Sequence, residues 1–270
     1  MKTNAFGFAI FVLMPLAAGA QTADEIVNKA LVARGGVEKI KAVQSERVTG
    51  RISFTGGLEG TFALDLKRPR KMHLEIDVQG QKAIRVYDGK SAGWMINPFA
   101  ENKDVQPMTE EDLKSISEES DFDGPLVDYK AKGSQIELIG KEQFDDKNVY
   151  RLKLTNKNGD VRFYVFDASS FALLKWEGIR KIEDKEFPWE SFFSDYRDVQ
   201  GLKYPFQIDQ GSPGTEIKQN LVTEKIEIDP QIDDSRFAKP TPAEPQPAER
   251  PISPVPPAKA APAPAPPSVR

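Results

Sequence analysis

There is no cysteine in these 270 residues, and there is a single histidine. Without a thiol the chain can form no disulfide, no thiolate metal site and no N-terminal lipid anchor, so it must rely on a core of its own. With one histidine, a nucleophilic triad or a zinc site is poorly supplied. That residue, His73, stands among Lys71, Glu75 and Asp77 on the polar side of an alternating run, a poor setting for a catalytic base. A glycine-rich phosphate loop is missing too, because Gly35-Gly36 and Gly56-Gly57 lack the flanking pattern. Asp121-Phe122-Asp123-Gly124 opens like a calcium loop, but its glycine comes too early and no glutamate stands at the bidentate position. It reads as a turn. The 41 acids always offer a glycosidase-like carboxylate pair, so that pair carries no information. No enzyme, cofactor or metal is expected. A net charge of −4 argues against nucleic acid as a partner.

Long apolar runs are equally scarce. One covers residues 5–16, behind Met1-Lys2 and ahead of Ala18-Gly19-Ala20, a small-x-small cleavage site. Residues 1–20 therefore read as a removed secretory signal, too short to be a membrane span of roughly 20 apolar residues. The expectation is a soluble, exported chain with no lipid anchor, and a periplasm suits a cysteine-free fold. At the other end, 12 of the 21 prolines follow Lys239, alternating with alanine. Such a sequence can neither bury apolar side chains nor pair in a ladder, so residues 239–270 are expected to form an extended, disordered tail. One folded domain remains, residues 21–238.

Within that domain, Ile26, Ala30 and Leu31 recur at helical spacing before Arg34-Gly35-Gly36 interrupts, and Val37 and Ile40 continue in a second short turn. The period then changes to two. Phe62, Leu64 and Leu66 alternate with Thr61, Ala63 and Asp65, and Met72, Leu74, Ile76 and Val78 alternate with charged neighbours. Hairpin signals follow at Gln79-Gly80, Asp88-Gly89, Asp145-Asp146 and Asn156-Lys157-Asn158-Gly159. The sum is an α+β chain, mainly antiparallel β, with about ten to eleven strands in one curved sheet or open barrel; a two-sheet sandwich is the runner-up. The meander is broken by Thr109-Glu110-Glu111-Asp112, an N-cap followed by acids, with Leu113 and Ile116 on one face. That helix is either a cover over the mouth of the sheet or an ordinary surface helix.

One local signature stands out. Lys67-Arg68-Pro69 closes a strand, Asp88-Gly89-Lys90 turns a hairpin, and Trp94 and Asn97-Pro98-Phe99 follow. In order and spacing, residues 60–99 resemble the LolA/LolB-like family of outer-membrane lipoprotein-sorting proteins, which are periplasmic carriers. More loosely the whole domain resembles it, down to the ending at Ile226-Glu227-Ile228 and Asp233-Asp234-Ser235-Arg236-Phe237. The acid-rich segment after Phe99 and the Pro/Ala tail depart from the pattern. The resemblance implies an unclosed, half β-barrel with an N-terminal helix, a helical lid, and a hydrophobic cavity sheltering lipoprotein acyl chains or a related lipid. It further implies a monomer that collects cargo from an inner-membrane donor and yields it to an outer-membrane acceptor.

The same resemblance makes Arg68 the lid latch, a role suited to a guanidinium with several donors at a strand end. Candidate cavity side chains are Phe62, Leu64, Leu66, Met72, Leu74 and Ile76 on the first strands, then Val86, Trp94 and Ile96. The lid helix adds Leu113 and Ile116, and the later strands add Leu152, Phe163, Trp176 and Phe206. Relatives of this fold also serve as lipid binders and stress sensors, which leaves a second reading open: a regulatory or scaffold module that binds a protein partner and uses the tail as a tether.

Overall fold

The computed structural model describes residues 21–182, 185–216 and 218–241, with side chains outside 180–185. Residues 1–20, expected to be a signal, and nearly all of the Pro/Ala tail lie outside the described residues.

Two helices come first. α1 (Ala23–Arg34) begins with a capping box: the Thr22 hydroxyl accepts from the Glu25 amide, and the Glu25 carboxylate accepts from the Thr22 amide. It ends at Gly35, where φ is +129° and a Cβ would stand 2.4 Å from the Gly201 carbonyl oxygen, so only glycine fits. α2 (Val37–Ala42) follows.

Among the described residues, thirteen antiparallel strands then build one sheet. β1 (Ser45–Phe54), β2 (Leu58–Lys67), β3 (Lys71–Val78), β4 (Gln81–Tyr87), β5 (Gly93–Ile96) and β6 (Gln106–Pro107) run outward from the middle to one edge. The chain then crosses through α3 (Glu110–Glu119) to the far edge. There β7 (Gln135–Phe144) starts the return through β8 (Lys147–Thr155), β9 (Val161–Asp167), β10 (Leu173–Ile182), β11 (Lys185–Val199) and β12 (Leu202–Gly211). β13 (Lys218–Ile228) closes the meander by pairing with β1. β6 and β7 do not pair, so the barrel is unclosed. A single sheet excludes the sandwich.

Thirteen strands exceed the ten or eleven that alternation suggests, and the reasons are local. β1 presents Gly50 where its inner face would show an apolar residue, because a Cβ there would fall 2.2 Å from the Val222 carbonyl oxygen. β7 carries a bulge between Leu138 and Gly140 that breaks its phase. β5 and β6 are too short to display any period.

Residues directly paired across strands share a face. The inner face carries Leu66, Tyr150, Leu152, Tyr164, Phe166, Tyr204 and Phe206, and packs on Ile26, Val27, Ala30 and Leu31 of α1 and Ile40 of α2. A second cluster joins Met72, Tyr87, Met108 and Ile116, with Leu64, Leu74, Met95 and Leu113 against it. On the outer face, a 3-10 turn (Asp234–Phe237) lies over β3. His73 Nδ1 meets the Arg236 carbonyl at 2.8 Å, and burial lowers the His73 pKa. A neutral ring therefore donates Nδ1–H to that carbonyl. Asp65, 1% exposed, is held by Arg47 at 2.6 Å and Arg236 at 3.0 Å.

Removing that carboxylate would leave two guanidinium groups without their shared partner. Asp65→Ala is expected to lose about 3–5 kcal/mol of stability in urea-induced unfolding, well beyond the effect of the exposed Glu216→Ala.

Candidate functional site

The open side of the barrel is bridged by α3 and the segment after it. α3 is capped by Thr109 and Asp112 in a second capping box. Its last turn reaches in two directions: Glu119 pairs with Arg85 of β4 at 2.8 Å, and Glu118 pairs with Arg162 of β9 at 2.9 Å. Asn156 donates to Glu118 at 3.0 Å, Lys114 pairs with Asp160 at 2.9 Å, and Arg70 reaches the Ser117 carbonyl. Adjacent acids on one helix thus tie together strands from the two halves of the sheet. Under the helix, Ile116 is fully buried against Met72, Tyr87 and Met108. α3 is a cover held by ion pairs at its rim and apolar contacts beneath.

Arg68 fastens the next segment. It follows β2, and its Nε donates to the Val43 carbonyl at 2.7 Å while Nη2 donates to the Ile40 carbonyl at 3.1 Å. These carbonyls belong to the C-terminal end of α2, where helix geometry supplies no partner and a cation is favoured. The same guanidinium grips both Asp123 oxygens, at 2.6 and 3.3 Å, and lies 4.9 Å from the centre of the Phe122 ring. Burial would raise the Asp123 pKa, but the hydrogen bonds and charge of Arg68 outweigh it and the net shift is downward. Lys132 closes the segment on itself through Asp121 and the Gly124 carbonyl.

Beside this fastening lies a cavity of about 750 Å³. Its walls come from α1 (Ala30, Leu31, Arg34), the fastened segment (Asp123 to Leu126) and β9 to β12 (Tyr164, Phe166, Leu173, Phe193, Tyr196, Tyr204), with Phe171 in the β9–β10 turn. A space of this size suits a lipid or other small amphiphile.

The fifteen candidate cavity residues fall into separate places. Leu64, Leu66, Met72, Leu74, Leu113 and Ile116 gather beneath α3. Leu152 and Phe206 belong to the main core and Trp176 packs against it. Ile76 pairs with Phe62 on the inner face, and Phe62 also borders a smaller crevice of about 240 Å³. Val86 pairs with His73, and Trp94 with Val86, which puts both on the outer face with Ile84 and Ile96. Phe163, opposite Glu177, also faces outward, where Arg151 covers its ring at 4.7 Å. None of the fifteen lines the 750 Å³ cavity. The residues that do, such as Arg34, Tyr164, Phe171 and Tyr204, carry no motif. The one sequence signal was the helical spacing of Ala30, Leu31 and Arg34, which puts that arginine on the buried stripe of α1.

No protein-family model matches the sequence, and no curated protein does. Solved structures do share the architecture. A DUF1329 family protein from Desulfovibrio piger aligns with a TM-score of 0.55 at 14% identity, over 80% of this chain and 97% of that one. A LolA superfamily protein from Nitrosomonas europaea aligns at 0.52 and 16% identity, over 82% and 99%. An outer-membrane lipoprotein-sorting protein domain from Vibrio parahaemolyticus aligns at 0.53 and 11%, over 80% and 96%. The fold is therefore the LolA-like open β-barrel. Among the described residues no helix is long and apolar enough to cross a membrane.

Replacing Arg68 with alanine strips charged donors from two helix-end carbonyls and from Asp123. Amide protection across residues 121–132 is expected to fall roughly 30-fold, equivalent to about 2 kcal/mol, while β9 keeps its protection in the same hydrogen-exchange experiment. Acid should act on the same contact. Because closure holds the Asp123 pKa below its ordinary 3.8, the ionised carboxylate supports closure. That support is complete above about pH 5 and lost as pH falls through 3.8 to the lowered value. Protection of residues 121–132 should drop selectively in that range, and Asp123→Asn should remove the pH dependence.

Proposed function

We propose that this protein is a periplasmic carrier that shelters lipoprotein acyl chains, or a related lipid, in a lidded hydrophobic cavity during transit toward the outer membrane. The observation that carries this reading is Arg68. One guanidinium ties the end of α2 to the segment that covers the barrel mouth, next to a cavity of about 750 Å³. The likeness in fold to a LolA superfamily protein and to a lipoprotein-sorting domain supports the class of cargo.

Energetics explain why such a carrier needs a fastening. Each buried CH₂ gains about 0.8 kcal/mol, so one long acyl chain offers on the order of 10 kcal/mol before ordering costs. Unopposed, that binding would hardly reverse. A cover that closes over the empty barrel competes with the chain for the same apolar surface, so its closing free energy is subtracted from the affinity. Arg68 sets part of that closing free energy. Delivery becomes feasible because the empty, closed state is itself stable.

Delipidated protein should take up a fluorescent acyl-chain probe, and Arg68→Leu should hold the probe up to roughly 30-fold more tightly by losing about 2 kcal/mol of competing closure. Stopped-flow release into acceptor vesicles measures the same change as a slower off-rate. A delipidated protein that takes up no probe would rule the carrier out, and a stable protein partner with no lipid would point instead to the scaffold reading.

A further inference from the structure

Charged side chains of the inner face are almost all committed. Arg85 and Arg162 hold the acids of α3, Arg68 holds Asp123, and Arg197 holds Asp195. Arg34 is different. It ends α1 half-buried in the wall of the 750 Å³ cavity. Among the described residues it makes one hydrogen bond, from Nη1 to the Asp123 carbonyl at 3.0 Å, and no ion pair. A guanidinium has five N–H donors, so most of its capacity is unused.

The surroundings do not supply the missing anion. Of the carboxylates lining the cavity, Asp123 and Asp195 already have their arginines, and Asp167 accepts from Ser169 and Ser170 in its own turn. Beneath the wall, Glu46 receives the Tyr204 hydroxyl at 2.8 Å. Glu46 feels the Arg34 charge, which opposes the upward push of burial on its carboxyl pKa, but the two form no ion pair. The other cations of the lining, Lys147 and Lys203, are exposed. A half-buried guanidinium in a wall it shares with Leu31, Tyr164, Tyr196 and Leu126, with donors to spare and no ion pair, is placed to receive an anion from a ligand.

We infer that Arg34 anchors the anionic head of an acyl-chain ligand, so that this cavity selects acidic amphiphiles over neutral ones of the same chain length. The inference rests on the carrier reading and narrows its cargo. A carboxylate or a phosphate offers the planar or forked acceptors that a guanidinium engages in two hydrogen bonds. The chain then lies along the aromatic and aliphatic wall formed by Phe166, Phe171 and Leu173. Because Arg34 also binds the Asp123 carbonyl, the head sits beside the segment that Arg68 fastens.

The test uses delipidated full-length protein with a pyrene-labelled fatty acid and its methyl ester, which share a chain and differ in charge. Wild type should bind the acid at least about tenfold more tightly than the ester. Arg34→Gln should erase that preference, the acid and the ester then binding within about twofold of each other, and Arg34→Lys should keep part of it. Circular dichroism and thermal unfolding check that the variants fold; if Arg34→Gln does not, the wild-type ratio decides. Displacement by hexadecyl phosphate against palmitate then identifies which anionic head is preferred. Equal binding of acid and ester by wild type, or a preference surviving in Arg34→Gln, overturns this inference and leaves the carrier reading standing. If neither probe binds, both fall.

Discussion

A coiled antiparallel sheet that stops short of closing has to hide its inner face from water by some means other than its own edges. In this protein the crossing from β6 to β7 does that work. The chain leaves one edge, lays α3 over the apolar cluster around Met72 and Ile116, and runs through residues 120–134 before entering the other edge. Its contacts run to the sheet, to the N-terminal helices and, through Lys132, back to the segment itself. Glu118 and Glu119 set the width of the opening by reaching strands from opposite halves.

The strength of the cover is divided between two kinds of interaction. Apolar burial under Ile116 is non-directional. The contacts of Arg68 are directional and are made only when α2 and Asp123 are both in place. Arg34 is the half-buried cation of the cavity wall, and it stands on the helix that packs against the main inner-face cluster.

Much of the architecture was legible in particular residues. The alternation of Phe62 to Leu66 and Met72 to Val78, the dipeptides Gln79-Gly80, Asp88-Gly89 and Asp145-Asp146, and the cap at Thr109 all mark features found in the structure. Arg68 stood out only through the resemblance of Lys67-Arg68-Pro69 and its surroundings to the LolA-like pattern. The cavity wall was harder to read, because alternation says which residues share a face but not which face turns inward. Val86, Trp94 and Phe163 look as apolar in sequence as Leu64 or Leu152, yet they stand on the outer face, Val86 beside His73 and Phe163 beneath Arg151.

Local chemistry settled the elements: capping boxes start α1 and α3, glycine and aspartate turn the hairpins, and a period of two makes strands, all through contacts between near neighbours. Tertiary structure alone decided the pairing of β1 with β13, the choice of inner face and the meeting of Arg68 with Asp123, fifty-five positions away. It also left Arg34, among the described residues, with one hydrogen bond and no ion pair. Those outcomes depend on how the sheet coils and where the crossing segment comes to rest, and no short stretch of sequence carries that information.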